Sequence, residues 1–332
     1  MEYRSLGQTG IRVSAISFGA GPVSQLLTGN DRQRQLATVV AAVEGGINWF
    51  DTAATYGNGE SERNLGRLLA ELKAADRVHV ATKVRLWEDQ LDAIGRHVRD
   101  SVQNSLHRLG LNRVTLLQIH NSITHRAGSQ PTSITPDHVL DPGGLLETMH
   151  DLRQQGLVEH FGLTGLGDPA AVDTVMASGA FATIQIPYNL LNPSAGQPVA
   201  EDFPEVNYGN LIHHAARRGL GVFAIRVLAG GAVAGLPPSP HTLKTPFFPL
   251  DLYERDVRRA EALGELLPVN ISREAAAVRF ALSHPEVSSA LLGIGTPEQL
   301  RQLVDFAADG PLAGPLLERL QERFPIEPSG GH

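Results

Sequence analysis

Eight short runs rich in β-branched and apolar residues, at 13–18, 47–50, 78–84, 114–119, 159–163, 183–186, 221–225 and 288–292, punctuate the chain. Between them lie stretches of helical period at 33–43, 62–72, 92–109, 145–155, 169–177, 208–217 and 275–282, and another helix opens near Thr296 with Pro297 in its first turn. Strand then helix, repeated, predicts parallel βαβ units. Eight such units predict an α/β fold closed into a (β/α)8 TIM barrel rather than an open sheet. The strand ends fall at 19, 51, 83, 120, 164, 185, 225 and 292. Most intervals suit a βα unit of about 30 or more residues, and the longer ones leave room for inserted loops. The candidate loops are 121–144, rich in Ser, Thr, Pro and His, and 229–249, rich in Gly and Pro. Both follow a strand, which in a barrel places them at the C-terminal face where active sites form. Segment 3–13, with turn residues from Gly7 to Gly10, predicts an N-terminal β-hairpin able to plug the other end. Residues 1–332 are expected to form one domain with an ordered core of about 2–324, leaving 325–332 as a disordered end.

Composition narrows the chemistry. A chain of 332 residues buries enough surface to need no staple, and its lack of cysteine excludes disulfide frameworks, thiol nucleophiles and Cys-ligated metals. A net charge of −7 argues against nucleic acid or an anionic membrane as partner. The first residues carry no apolar core of a signal peptide, and no apolar run reaches transmembrane length, so a cytoplasmic protein is expected. Gly19-Ala-Gly21-Pro lacks the continuation of a Rossmann fingerprint, there is no Gly-Lys pair for a P-loop, and no His-Glu-x-x-His for a metal. Lysine is scarce: only Lys73, Lys83 and Lys244 are present, the other basic residues being arginine.

In a barrel, a polar residue that ends an apolar strand stands on rigid backbone at the mouth. Strand two ends Ile47-Asn-Trp-Phe-Asp51 and continues Thr52-Ala-Ala-Thr-Tyr56-Gly; strand three ends Ala81-Thr-Lys83; strand four ends Leu117-Gln-Ile-His120. Taken singly, Asp51 reads equally as a cap, Tyr56 as a loop residue, Lys83 as a surface residue and His120 as a core histidine. Together they suit proton transfer to a carbonyl. A free tyrosine, with pKa near ~10, is a poor donor at neutral pH. An ammonium within about 4–6 Å of a phenol favours the phenolate and lowers that pKa by about 1–3 units. Asp51 would keep Lys83 cationic, and His120 would polarise or orient the substrate oxygen. Such a site has no reductant of its own, so a hydride-carrying cofactor is implied.

These residues resemble the aldo-keto reductase superfamily: Asp51-Thr-Ala-Ala-Thr-Tyr56-Gly-Asn-Gly-Glu-Ser-Glu62, Thr82-Lys83-Val, Leu117-Gln-Ile-His120, Phe161-Gly-Leu-Thr164, Gln185-Ile-Pro-Tyr-Asn and Leu291-Leu-Gly-Ile-Gly-Thr-Pro-Glu-Gln299. The similarity runs from the hairpin to about Phe306. The resemblance implies NAD(P)H-dependent reduction of an aldehyde or ketone, or the reverse oxidation, with Tyr56 as general acid/base, Lys83 and Asp51 assisting, and His120 positioning the carbonyl. It implies cofactor contacts at Ala20, Thr164, Gln185, Ile225, Arg226, Leu228, Gly230, Gly293, Gly295, Thr296 and Gln299, and no metal. Gln185 matches the amide-binding glutamine. Thr164 and Gly165 replace the usual serine and asparagine, and Ile225 stands where many members stack an aromatic ring. Arg226 and the backbone of Leu228 to Gly230 are expected at the pyrophosphate. Many NADPH-dependent members clamp the adenosine 2′-phosphate with a lysine and an arginine where this chain has Gly293 and Gln299. Neither is a cation, which leans towards NAD(H) or dual use against the family's habit of NADP(H). The helix opening at Thr296 still suits an anion. The expected partner is a small carbonyl or alcohol substrate, walled in part by Trp87 and the segment from Asn121; oligomeric state is not readable. Two rivals stay open: a lyase whose Lys83 forms a Schiff base, and a non-catalytic cofactor-binding regulatory subunit of the same fold.

Overall fold

The computed structural model describes residues 1–245 and 250–322. Its strands are β1 (Tyr3–Ser5), β2 (Arg12–Ser14), β3 (Ile16–Gly19), β4 (Trp49–Asp51), β5 (His79–Val84), β6 (Val114–Ile119), β7 (Val158–Thr164), β8 (Thr183–Pro187), β9 (Gly221–Ile225) and β10 (Ser289–Gly293). The helices are α1 (Arg32–Glu44), α2 (Glu60–Glu71), α3 (Ile94–Leu109), α4 (Pro136–Leu140), α5 (Leu145–Gln154), α6 (Pro169–Met176), α7 (Leu211–Arg217), α8 (Leu250–Leu266), α9 (Arg273–Ser283), α10 (Pro297–Ala308) and α11 (Gly314–Gln321). β3 to β10 close into one parallel barrel in which β10 returns to pair with β3, and β1 and β2 form a separate antiparallel pair. The expected (β/α)8 architecture with its hairpin is therefore present. The expected disorder at 325–332 lies outside the described residues.

Strand alternation stacks the barrel interior in layers. Trp49, Ala81, Leu116, Phe223 and Leu291 form an apolar layer that Leu6 and Val13 of the hairpin segment join. Two residues further along the same strands, Asp51, Lys83 and Gln118 form the next layer, with Gln185 from β8, all buried. The hairpin thus closes the end opposite the strand exits. It reaches one residue further than the sequence suggested, and the first barrel strand starts at Ile16 rather than Val13: Val13 and Ser14 pair with Arg4 and Tyr3, not with the barrel. Ser14 explains the break, since its hydroxyl donates to Ile16 O and its N–H to the side-chain oxygen of Asn48, and the chain turns between hairpin and barrel.

The long interval before β10 is a second departure. Where a loop from 229 to 249 was expected to absorb it, the connection also carries the whole of α8 before α9. Helix α8 buries Asp256 and Arg259 beside Tyr253, Ala260 and Leu263, with Arg259 paired to both Asp256 and Glu205, which interrupts the apolar stripe of an amphipathic helix. Its period is masked by these ion pairs. The 121–144 segment likewise contains a short helix, α4, capped by the Thr135 hydroxyl.

Candidate active site

Tyr56 reaches the mouth through an unusual turn. Gly57, Asn58 and Gly59 all adopt left-handed φ, +57°, +51° and +86°, and fold the chain sharply back before α2 begins at Glu60. Glycine and asparagine tolerate that region where branched residues do not. A Cβ on Gly59 would also meet Arg108 Cδ at 2.5 Å. The Tyr-Gly-Asn-Gly string is the local reason the phenol turns in towards β4 and β5.

Asp51, Lys83, Tyr56 and His120 come together. Lys83 Nζ donates to Asp51 Oδ1, to the Thr52 carbonyl at 2.9 Å and to the Tyr56 hydroxyl at 3.2 Å. The ammonium also lies 4.8 Å from the centre of the Tyr56 ring. Burial opposes its charge, but Asp51 and then Tyr56 outweigh it and raise the Lys83 pKa above the ordinary lysine value. The His120 ring stands edge-on to Tyr56, centroids 5.6 Å apart, at the end of β6. Burial first, then the cations Arg85 and Lys83, depress its imidazole well below the usual histidine range. At neutral pH it is a neutral hydrogen-bonding group.

That depression has a measurable sign. A folded pKa below the unfolded value means that the unfolded chain takes up the proton first, so stability falls as pH drops from about 6.5 towards the folded value. NMR titration of His120 should show a midpoint well below that of a free histidine, and a titration at the ordinary histidine value would refute the electrostatic account.

Two carboxamides hold Asp51 that sequence reading did not place there. Gln118 Nε2 and Gln185 Nε2 both donate to Asp51 Oδ2, at 2.8 and 2.6 Å. A carboxylate can only accept, so both amides must turn their NH2 groups towards it. Gln118, fully buried, is left with an oxygen that has no hydrogen-bond partner. Its signal was present in the sequence: it is a lone polar residue at an inward position of an otherwise apolar strand.

The remaining candidates line the exits of β3 and β7 to β10. Ala20, just past β3, donates its N–H to the Asp51 carbonyl. Thr164 ends β7 with its hydroxyl on Ile119 O at 3.0 Å, Ile225 ends β9, and Arg226 follows it with φ of +57°. Leu228 precedes a tight turn at Ala229–Gly231, in which Gly230 has φ of +71°. Gly293 ends β10, where an added Cβ would come no nearer than 3.8 Å to Ser24. Thr296 caps α10 by accepting the Gln299 N–H, while Gln299 Oε1 accepts the Gly295 N–H at 3.0 Å. Arg301 pairs instead with Glu298 at 3.4 Å.

Trp87 and the segment after Asn121 enclose a cavity of about 170 Å³, but Asp51, Tyr56, Lys83 and His120 do not line it. Asn121 clamps its edges, donating to the carbonyls of Leu86 and Thr132 and accepting the Leu86 N–H.

A family profile described as Aldo/keto reductase family matches residues 15–313. An aldo-keto reductase of Bacillus subtilis, YhdN, is 27% identical, the match covering 91% of this chain and 88% of that protein. L-galactose dehydrogenase of Arabidopsis thaliana is 28% identical over 92% of this chain and 87% of its own. Pyridoxal 4-dehydrogenase of Microbacterium luteolum is 28% identical over 91% and 92%. Among solved structures, the holo form of an aldo-keto reductase from Bacillus halodurans superposes with a TM-score of 0.73 at 20% identity, covering 100% of this chain and 98% of that one.

Proposed function

The chain belongs to the aldo/keto reductase family, an NAD(P)-dependent oxidoreductase family, and on that premise we propose that it reduces an aldehyde or ketone, or oxidises the alcohol, with Tyr56 as the proton donor or acceptor. The observation that carries this reading is the Lys83 ammonium, held by Asp51 and in contact with the Tyr56 hydroxyl. In the reducing direction Tyr56 gives its proton to the carbonyl oxygen, and Lys83 offsets the negative charge that forms on the phenolate. Asp51 keeps Lys83 protonated, and Gln118 and Gln185 hold Asp51 in place. Neutral His120 donates a hydrogen bond to the same carbonyl oxygen and sets its direction without competing as an acid.

The residues past β7 to β10 suit a nicotinamide dinucleotide, which supplies the hydride when bound. Gln185, with its NH2 on Asp51, offers its oxygen to a carboxamide; Thr164 offers a hydroxyl, Ile225 an apolar face and Arg226 a cation for the pyrophosphate. The turn at Leu228 to Gly230 offers backbone N–H groups beside it.

The adenosine end supports NAD(H) or dual use. Gln299 is engaged in capping, Gly293 has no side chain, and Arg301 is paired. Hydrogen bonding to its own N–H holds the Glu298 carboxyl below its usual range, so a negative charge already sits at the start of α10. The expected result is a kcat/KM for NADH at least equal to that for NADPH, measured by absorbance of the reduced nicotinamide with one aldehyde at saturation. A preference for NADPH of about a thousandfold, the scale that several charge-assisted phosphate contacts provide, would remove this reading.

The Schiff-base reading fares worse. An amine nucleophile needs a free base, whereas Asp51 raises the Lys83 pKa and favours the ammonium. Absence of a borohydride-trapped adduct on Lys83 is therefore expected. The regulatory-subunit reading separates from the enzyme reading by turnover alone.

A further inference from the structure

The Glu62 carboxylate and the Ser61 hydroxyl beside it take no part in the chemistry above, yet both residues are wholly buried. They are consecutive in the first turn of α2, the helix that follows the Tyr56-Gly-Asn-Gly turn. Ser61 Oγ donates to the Ala20 carbonyl at 2.9 Å and lies 2.8 Å from Thr52 Oγ1. A carbonyl can only accept, so the one Ser61 proton goes to Ala20 and the Thr52 hydroxyl donates to Ser61. Each end of that hydroxyl link is tied to the site. The Ala20 N–H is on the Asp51 carbonyl at 2.9 Å, and the Thr52 carbonyl accepts from Lys83 Nζ at 2.9 Å. A Cβ on Gly21 would stand 3.8 Å from Tyr56 Cζ and 4.0 Å from its hydroxyl oxygen, so the residue after Ala20 lies against the phenol. Thr52 and Ser61, nine positions apart, thus bracket Tyr56 and close its turn with a buried hydrogen bond.

Glu62 grips the other flank. Its Oε1 accepts the hydroxyl of Thr82, the residue before Lys83 in β5, at 2.5 Å, and its Oε2 accepts Arg108 Nε from α3 at 2.6 Å. The Arg108 stem fills the space over Gly59, inside the Tyr56 turn. One helical turn therefore holds the exits of β3 and β4 and the end of β5 together. We infer that Ser61 and Glu62 are positioning residues, which set the Tyr56 hydroxyl against Lys83 Nζ, at 3.2 Å, in the geometry that proton transfer needs. Tyr56 depends on such a clamp because it stands on no strand, and the three residues after it are all left-handed. A reacting group displaced by about 1 Å can lose about a hundredfold in rate. Removing the Ser61 hydroxyl takes a donor from the Ala20 carbonyl and the acceptor from the buried Thr52 hydroxyl, so the turn relaxes towards new partners. The effect on rate rests on the reading of Tyr56 as proton donor, whereas the placement of the phenol can be measured without turnover.

In the full chain with cofactor, Ser61→Ala should lower kcat about tenfold and leave the KM for the aldehyde within about threefold of wild type. Glu62→Gln keeps the shape but weakens the hold on Arg108, and should lower kcat about threefold. In a Tyr56→Phe background Ser61→Ala should cost less than about twofold, because a residue that acts through the Tyr56 hydroxyl then has nothing to position. Equal losses in the two backgrounds mark a merely structural role and overturn the proposal, as does a kcat unchanged in both single variants. The second readout is the 13C spectrum of the chain labelled at tyrosine Cζ, with five resonances. The one absent from Tyr56→Phe should shift or broaden in Ser61→Ala and in Glu62→Gln, while those of Tyr3, Tyr188, Tyr208 and Tyr253 stay in place. A Tyr56 resonance unchanged in both variants, or all five moving alike, overturns the proposal. If Ser61→Ala does not fold, Glu62→Gln carries both readouts. A Tyr56→Phe enzyme as fast as wild type, with the Tyr56 resonance moved in the clamp variants, removes the proton-donor reading and leaves the clamp standing.

Discussion

Replacing Tyr56 by phenylalanine is expected to lower carbonyl reduction by about a thousandfold, within the range that a positioned general acid contributes. The substitution removes one oxygen and little else. The ring keeps its edge contact with His120 and its place beneath Lys83, so packing at the mouth has no reason to change. What disappears is the hydroxyl that accepts from Lys83 at the mouth. Single-turnover rates at saturating cofactor isolate this step from binding, and cofactor affinity, read by quenching of protein fluorescence, should stay within a few fold. A Tyr56→Phe enzyme that reduces aldehydes at near wild-type rate would mean that another group supplies the proton.

The other large effect concerns stability as well as rate. Lys83 and Asp51 are 1% and 2% exposed and face each other in the barrel interior. Removing one partner of a buried pair strands the other charge, at a cost of about 3–5 kcal/mol. Lys83→Met should fall towards the lower end, because the carboxamides of Gln118 and Gln185 still donate to the carboxylate. Activity should drop by about a hundredfold or more, since no cation then offsets the developing phenolate. The double variant Asp51→Asn/Lys83→Met separates the two roles: it should regain most of the lost stability by eliminating the stranded charge, yet remain as slow as the single variant. Urea midpoints and initial rates on the three proteins check this. If Lys83→Met alone unfolds within about 1 kcal/mol of wild type, the pair does not hold the layer together.

The barrel was legible because parallel strands buried on both faces are continuous apolar runs, and because a polar residue at the end of such a run stands out. Asp51, Lys83 and His120 were found that way, and Tyr56 because it follows the strand that ends at Asp51. Gln118 was passed over because it lies inside its strand rather than at its end, where an amide reads as an exception to the pattern. Helix α8 escaped because an ion pair interrupts its buried apolar face. Arg255 and Arg259 contact Glu205 across some fifty residues of chain, and no local period can announce a contact of that kind.

The hairpin adds a consequence at the far end of the molecule. Leu6 and Val13 complete the apolar layer that lies directly beneath the buried ion pair. The strength of every charge contact above them depends on how little water the barrel admits from below. β1 and β2 act as an insulator: a remote segment sets the dielectric in which Asp51 and Lys83 meet, and loosening it would weaken the site without moving a single atom of it.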